Sequence, residues 1–151
     1  ALMRANQLIL ADSQADLFLS AVYLVIETST GRVTYTNAGH TRPLLYRAAS
    51  GVLSELTQRG IILGTFDEIS LRDDRVDLAP GDVLVLYTDG VTDATDSLDQ
   101  PFGLELLQAA VNRSEATSAQ ALCDEIWQGV AAHQGAAPQF DDFTMVVVQS
   151  H

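Results

Sequence analysis

The chain has 151 residues, of which 20 are acidic and 8 are basic, so its formal net charge at pH 7 is −12. This charge disfavours nucleic acids and anionic membrane surfaces as partners, because both carry the same sign of charge. The length suits one domain, and no apolar stretch is long enough to cross a bilayer, so we expect no membrane contact from this segment. The single cysteine, Cys123, permits no intrachain disulfide and fits a cytoplasmic location.

The first half of the chain predicts one helix followed by antiparallel strands. Apolar residues recur at helical spacing over 2–11. Strands are predicted over 17–27, 33–37, 43–47, 52–57 and 70–78. The turn residues at 29–32 join the first two strands as a hairpin, which indicates an antiparallel sheet. The last of these segments is rich in polar residues and is therefore predicted as an edge or surface strand.

A turn with candidate site residues follows the second predicted strand, at Asn37-Ala-Gly-His40. Imidazole titrates near neutrality, so His40 is a candidate general acid or base. The alternative is a histidine whose hydrogen bonds to neighbouring groups hold the turn in place. The residue types favour a structural role for His40, and the catalytic role stays open as the alternative.

The central motif is an apolar run, Val83–Tyr87, followed by Thr88-Asp89-Gly90. The run is too short for a typical helix and predicts a buried strand. A carboxylate at the end of a buried strand has a rigid support, and the following glycine allows close approach of a ligand, which suits a hard divalent cation. The alternative is that Asp89-Gly90 simply starts a turn. In the loop that follows, Asp93, Asp96 and Asp99 are candidates for a further weak cation, although such a run is more typical of a solvated loop.

Two helices are predicted after this loop, the first over 103–113 and the second from the residues at 117–120 to Gly135. Thr117-Ser-Ala-Gln120 is a capping-box pattern for the second helix, and Gly135 is expected to end it. The buried stripe of this helix is predicted from helical spacing as Ala119, Leu122, Cys123, Ile126 and Val130. Trp127 lies beside that stripe in sequence and is expected in the core.

A second acidic motif, Asp141-Asp142-Phe143-Thr144, precedes the β-branched run Met145–Val148. Adjacent strand residues point to opposite faces, so one carboxylate should face a site while the other hydrogen-bonds locally. If this strand neighbours Val83–Tyr87, Asp89 and one of the pair lie close together. Two carboxylates that close repel each other unless a cation lies between them.

Five motifs in this order resemble the SpoIIE-like (RsbU-type) branch of the PP2C metal-dependent serine/threonine phosphatases. They are Asn37-Ala-Gly-His40, Pro80-Gly-Asp82, Leu86-Tyr-Thr-Asp-Gly-Val-Thr-Asp93, Phe102-Gly103 and Asp141-Asp142-Phe143-Thr144. The resemblance covers almost the whole chain. It implies an α+β fold of the PP2C type, an αββα sandwich of two antiparallel sheets flanked by helices.

The resemblance also implies a site and an activity. Asp89 and Asp141 occupy metal-ligand positions, while Gly90, Asp142, Asn37 and His40 are adjacent or supporting residues. The complete domain holds two Mn²⁺ or Mg²⁺ ions, and water activated by them hydrolyses a phosphoserine or phosphothreonine, so no protein nucleophile is needed. The expected substrate is a phosphorylated regulatory protein, such as an anti-sigma-factor antagonist in bacterial stress signalling. The sequence does not predict the oligomeric state.

One part of the family pattern is absent from residues 1–151. The family carries an earlier Gly-Asp-x-x-Asp segment and an Asp-Gly-x-Gly segment, which supply the metal-bridging aspartate and a ligating carbonyl. We therefore expect these residues to form the C-terminal portion of a single phosphatase domain, incomplete at the N-terminus and possessing little activity by itself. The rival hypothesis is a non-catalytic interaction domain with an incomplete metal site. A further alternative is a metal-dependent hydrolase of small phosphoesters.

Overall fold

A computed structural model describes residues 1–12, 17–139 and 141–151, which fold into four helices and seven strands within these ranges. In chain order they are α1 (Leu2–Ala11), β1 (Ala21–Glu27), β2 (Arg32–Ala38), β3 (Leu44–Arg47), β4 (Val52–Glu55), β5 (Asp74–Asp77), β6 (Val83–Tyr87), α2 (Asp89–Thr92), α3 (Gly103–Arg113), α4 (Ala119–Gln134) and β7 (Met145–Gln149). All the strand pairings are antiparallel, so the predicted α+β class is confirmed. No helix in the described ranges combines the length and apolar character that crossing a bilayer requires.

The chain forms two compact units, which are described separately. The first unit contains Ala1–Arg42 and Thr57–Leu78. Its sheet has the order β1-β2-β5, so β5 is an edge strand as predicted. The strand predicted over 17–27 is shorter than expected: β1 begins at Ala21, and before it Leu19 makes only an isolated bridge to Leu63. Asn6 of α1 is fully buried, donating to the Phe66 carbonyl and accepting from the Gly64 amide.

The second unit contains Pro43–Leu56 and Ala79–His151, and its sheet has the order β4-β3-β6-β7. β6 lies between two partners and is buried at Val83, Leu84, Val85 and Tyr87, which explains its uninterrupted apolar sequence. The hydrophobic core of this unit also contains Leu107 and Val111 of α3, and Leu122, Ile126 and Val130 of α4. Burial of these helix faces against β6 positions the segment that follows the strand.

Two predictions about α4 require correction. Ser118, not Thr117, is the N-cap residue, and its hydroxyl accepts a hydrogen bond from the Ala121 amide. The Gln120 side chain donates to Asp124 instead of completing a capping box. Trp127 is 49% exposed and not in the core. The buried stripe runs through Leu122, Ile126 and Val130, and Trp127 lies one residue, or about 100°, around the helix from it.

Asp82 is a buried carboxylate that fixes the turn immediately before β6. The residue is 1% exposed, and its carboxylate accepts hydrogen bonds from the Ala79 amide at 2.9 Å, the Ala48 amide at 3.0 Å and the Arg47 guanidinium at 2.7 Å. Burial by itself would raise the pKa of Asp82, but these hydrogen bonds outweigh it, and the pKa lies below its ordinary value. The Pro80-Gly-Asp82 motif is therefore structural.

Replacing Asp82 by asparagine is expected to lower the free energy of unfolding by about 2–4 kcal/mol, because it removes the buried negative charge that faces the Arg47 guanidinium and replaces one accepting oxygen by an NH₂ group that cannot accept from the backbone. A folded-state pKa below the unfolded value stabilises the fold above the unfolded pKa, and this contribution is lost as pH falls through the folded pKa. In urea unfolding, the difference in the free energy of unfolding between wild type and Asp82→Asn should therefore be constant from pH 6 to 8 and should become smaller below about pH 4. A difference that grows on acidification would contradict this assignment.

Candidate metal site

The two acidic motifs meet at one edge of the second unit's sheet. β6 and β7 are antiparallel neighbours, with Tyr87 opposite Met145 at the end of the ladder. The end of β6 and the start of β7 therefore lie side by side. Asp89 follows β6 by two residues, and Asp141 and Asp142 lie just before β7. The predicted neighbourhood of these strands is confirmed.

Thr88 joins the two motifs beyond the last strand pair. Its amide donates to the Thr144 carbonyl at 3.0 Å, and the Thr144 amide donates to the Thr88 hydroxyl oxygen at 3.1 Å. The same hydroxyl donates to the Asp142 carbonyl at 3.1 Å. Because one residue binds both the strand start and the acidic segment, the segment around Asp142 is fixed relative to the end of β6.

Asp89 begins the short helix α2, which the sequence analysis did not predict. Thr88 is its N-cap, and the Asp93 amide donates to the Asp89 carbonyl at 2.8 Å. Each of the two predicted metal ligands accepts a hydrogen bond from the amide of the next residue. The Asp89 carboxylate accepts from the Gly90 amide at 3.1 Å, and the Asp141 carboxylate accepts from the Asp142 amide at 2.7 Å. Both carboxylates are on exposed residues, so an ion can reach them from solvent.

Gly90 is buried against the second acidic motif. A Cβ atom added to Gly90 would collide with the carbonyl oxygen of Asp142 and would also lie 2.9 Å from the carbonyl carbon. Because both atoms belong to the backbone, they cannot rotate away. Glycine at this position is therefore required by the close approach of the two motifs, not only by a turn.

Gly90→Ala is expected to destabilise the fold by about 1–3 kcal/mol, because the overlap with Asp142 outweighs the higher helix propensity of alanine. Gly129 provides the matched control: it is also helical, but an added Cβ would meet only the Phe102 ring, at 3.9 Å. Gly129→Ala should be neutral or stabilising by up to about 1 kcal/mol. The measurement is the thermal unfolding of both variants. Equal changes in stability for Gly90→Ala and Gly129→Ala would refute the contact between Gly90 and the Asp142 carbonyl.

A depression beside this junction collects several of the predicted residues. Its lining includes Gly90, Asp93 and Asp141 together with the aromatic residues Trp127 and Phe143. The two aromatic rings meet edge to face with centroids 4.9 Å apart. Asp93 thus lines the same depression as Asp141, whereas the sequence predicts for Asp93 only a solvated loop or a weak cation site. Asp96 is used locally instead, accepting from the Leu98 and Gln100 amides.

Asn37 and His40 belong to the first unit, whereas Asp89, Gly90, Asp141 and Asp142 belong to the second. The buried Asn37 side chain closes the turn: it accepts from the His40 amide at 2.8 Å and donates to the His40 carbonyl at 3.0 Å. The His40 ring makes a hydrogen bond of 2.9 Å with the Ser20 hydroxyl. This geometry favours the interpretation of His40 as a residue that holds the turn.

The donor chemistry at the β6–β7 junction fits a hard divalent cation. Carboxylate and carbonyl oxygens are the ligands that Mg²⁺ and Mn²⁺ prefer, and the junction presents the Asp89 and Asp141 carboxylates. No group of three or more His, Cys, Asp or Glu side chains suited to a metal ion occurs within 1–12, 17–139 and 141–151. The described residues therefore supply part of a coordination shell.

The family model for stage II sporulation protein E (SpoIIE) matches residues 1–151. The chain belongs to the SpoIIE family. Among curated relatives, Protein IcfG of Synechocystis sp. (strain ATCC 27184 / PCC 6803 / Kazusa) is 32% identical over 132 residues, covering 87% of this chain and 20% of that protein. Phosphoserine phosphatase RsbU of Bacillus subtilis (strain 168) is 25% identical over 151 residues, covering 98% of this chain and 44% of that protein.

Solved structures share the fold of this SpoIIE-family chain. The SiaA-PP2C domain of Pseudomonas aeruginosa has a TM-score of 0.84 at 20% sequence identity, covering 98% of this chain and 58% of that one. The Mn-presoaked phosphatase domain of SpoIIE from Bacillus subtilis has a TM-score of 0.67 at 14% identity, covering 98% of this chain and 72% of that one. These likenesses confirm the predicted PP2C-like α+β fold. The chain spans less than half the length of the curated relatives named above.

Proposed function

We propose that this chain is part of a metal-dependent protein serine/threonine phosphatase of bacterial signalling. The observation that carries the proposal is the junction at the ends of β6 and β7, where Thr88, Gly90 and the Asp142 carbonyl hold two carboxylate-bearing segments together. Family membership supports the activity, since the relatives RsbU and RsbP are named phosphoserine phosphatases.

Asp89 and Asp141 are the proposed protein ligands of Mn²⁺ or Mg²⁺. Such an ion, when bound, lowers the pKa of water and offsets the negative charge of phosphoryl oxygens. The role of this chain is to hold both carboxylates on stiff supports. Asp89 is fixed by the start of α2, and Asp141 by its hydrogen bond to the Asp142 amide. Preorganised ligands reduce the cost of ordering when an ion binds.

The cysteine of this chain is poorly suited to act as a nucleophile. Burial, followed by the negative charge of Asp124, raises the pKa of the Cys123 thiol above its ordinary value. A raised pKa keeps the thiol protonated at neutral pH, whereas nucleophilic attack on phosphorus requires the thiolate. Hydrolysis by activated water therefore suits this chain better than a cysteinyl-phosphate mechanism.

We further propose that residues 1–151 are the C-terminal portion of a single phosphatase domain whose upstream segment supplies further metal ligands. β1 is an edge strand in its sheet, and its Tyr23, Val25 and Ile26 are 48%, 53% and 36% exposed. A long apolar edge strand is normally covered, because it otherwise pairs with other chains. Such a segment would cover β1 and contribute the bridging aspartate that the family pattern places upstream.

The proposed substrate is a phosphorylated regulatory protein in the cytoplasm. The test uses the full-length protein with a phosphoserine peptide and a phosphoprotein, each assayed with EDTA and after Mn²⁺ is restored. We expect phosphate release only in the presence of the metal. Release that persists in EDTA would contradict metal dependence, and preference for small phosphoesters over every phosphoprotein would favour the small-molecule hydrolase.

The second candidate function is a non-catalytic interaction domain of the same fold. The observation that favours it is that the described residues contain no set of three or more metal-ligating side chains. The same assay separates the two functions. An interaction domain binds a signalling partner without phosphate release at any Mn²⁺ concentration.

A further inference from the structure

The hydroxyl group of Thr88 makes contacts that are unusual for its place in the chain. Thr88 is the N-cap of α2 and has an extended backbone, with φ −88° and ψ 161°. An N-cap threonine ordinarily accepts a hydrogen bond from an amide in the first turn of its own helix. Within the described residues, the Thr88 hydroxyl makes no such bond. It bonds instead to Asp142 and Thr144, which lie 54 and 56 residues further along the chain.

This hydroxyl is both a donor and an acceptor. It accepts from the Thr144 amide at 3.1 Å and donates its proton to the Asp142 carbonyl at 3.1 Å. A hydroxyl has one proton and two lone pairs, so both bonds can form at the same time. Among side chains of this size, serine can replace both bonds, whereas valine can replace neither.

The two hydroxyl bonds act where the strand pairing has ended. The β6–β7 ladder ends with the pair Tyr87 and Met145, and residues 141–144 precede it without belonging to a helix or strand. On its other side, the Asp142 carbonyl packs against Gly90 so closely that a Cβ atom there would collide with it. The Thr88 hydroxyl and the Cα of Gly90 therefore fix the backbone of Asp142 together.

Thr88 is linked to both proposed metal ligands by short paths. It precedes Asp89 directly in the chain, and a single residue, Asp142, separates its hydroxyl from the Asp141 carboxylate. The Asp142 carbonyl accepts from Thr88, while the Asp142 amide donates to the Asp141 carboxylate at 2.7 Å. A shift of the Asp142 backbone would therefore turn the Asp141 carboxylate away from its present direction.

We propose that Thr88 is a positioning residue of the metal site: through the backbone of Asp142, its hydroxyl sets the direction in which Asp141 faces an ion held by Asp89. The proposal rests on the proposed phosphatase function and adds a residue to its metal site. Groups that orient metal ligands commonly contribute about 10–100-fold to metal affinity without touching the ion. Diversion of the hydroxyl from its own helix to the second acidic motif is the observation that carries the proposal.

The test is a calorimetric titration of Mn²⁺ into the full-length protein, comparing wild type with Thr88→Val and Thr88→Ser. Valine keeps the branched shape of threonine without the hydroxyl, whereas serine keeps the hydroxyl. We expect Thr88→Val to weaken Mn²⁺ binding by about tenfold or more, and Thr88→Ser to change it by about twofold or less. Thr88→Ala is a second variant without the hydroxyl, for use if circular dichroism shows that Thr88→Val is unfolded, and it should lose the same affinity.

Kinetics distinguish positioning of a ligand from a general structural defect. In Thr88→Val, the Mn²⁺ concentration for half-maximal phosphate release should rise by the same factor as the Mn²⁺ dissociation constant. The KM for a phosphoprotein at saturating Mn²⁺ should stay at the wild-type value. A general structural defect would instead lower phosphate release at every Mn²⁺ concentration.

Thr144→Val is the matched control, since it makes the same chemical change on the other side of the junction. The contacts of Thr144 to Thr88 are made by its amide and its carbonyl, and valine keeps both. Thr144→Val should therefore bind Mn²⁺ with the wild-type affinity. The proposal is overturned if Thr144→Val or Thr88→Ser loses as much affinity as Thr88→Val.

The titration requires no turnover, so its outcome is separate from that of the proposed phosphatase function. Weaker Mn²⁺ binding in Thr88→Val that serine restores supports the role of Thr88 even if no phosphoprotein is hydrolysed. Wild-type Mn²⁺ affinity in Thr88→Val overturns that role even if the phosphatase activity is established.

Discussion

Replacing Asp141 or Asp89 by asparagine is expected to reduce Mn²⁺-dependent phosphate release by about 100-fold or more. Each substitution removes a negative charge from a site that we propose binds a dication, and an amide oxygen is a weaker ligand for hard cations. Loss of supporting partners alone costs about 10–100-fold, so loss of a direct ligand should reach at least the upper end of that range. The measurement is kcat/KM for a phosphoprotein, together with calorimetric titration of Mn²⁺.

Asp142→Asn is the matched control, since it makes the same chemical change at the adjacent residue. The contacts of Asp142 to the junction are made by its backbone: its amide donates to the Asp141 carboxylate and its carbonyl accepts from Thr88. Asparagine keeps both contacts, so we expect a loss of about tenfold or less. If Asp142→Asn abolished Mn²⁺ binding while Asp141→Asn preserved it, the two aspartates would have the opposite roles.

The second large effect concerns residues 1–151 assayed without any additional segment. Asp89 and Asp141 give two carboxylates, whereas each hard cation takes about six oxygen ligands and a two-metal site needs a bridging group. Water fills coordination positions but contributes no negative charge. We therefore expect these residues alone to bind Mn²⁺ weakly and to hydrolyse p-nitrophenyl phosphate at a rate near background.

The comparison requires the longer protein at equal protein and Mn²⁺ concentrations. The longer protein should show Mn²⁺-dependent turnover that the 151 residues lack. Circular dichroism of both proteins excludes unfolding as the cause of a difference. Equal rates would mean that Asp89 and Asp141 suffice with solvent, and the proposed role of upstream acids would be wrong.

The strands that carry the candidate site were predictable because their sequences contain strong local signals. Val83–Tyr87 is apolar without interruption, and the structure places it between two neighbours in a sheet. The β-branched run that starts at Met145 became its antiparallel partner, which brought the motifs of Asp89 and Asp141 to one edge. Helical spacing likewise predicted α3 over Gly103–Arg113.

The details of the site depend on tertiary contacts that sequence patterns do not encode. By sequence Asp89-Gly90 is consistent with a simple turn, whereas in the structure both residues belong to the short helix α2 and Gly90 packs against the Asp142 carbonyl. The position of Trp127 beside the predicted stripe of α4 favours the core, but the buried stripe runs through Leu122, Ile126 and Val130, and Trp127 lies at the surface.

The most direct test is a crystal structure of the full-length protein soaked in Mn²⁺, with the ion located by its anomalous scattering. We predict an anomalous peak at coordination distance, about 2.0–2.6 Å, from carboxylate oxygens of both Asp89 and Asp141. The same soak of Asp141→Asn should show a much weaker peak or none. A Mn²⁺ ion bound away from both carboxylates would contradict the proposed metal site.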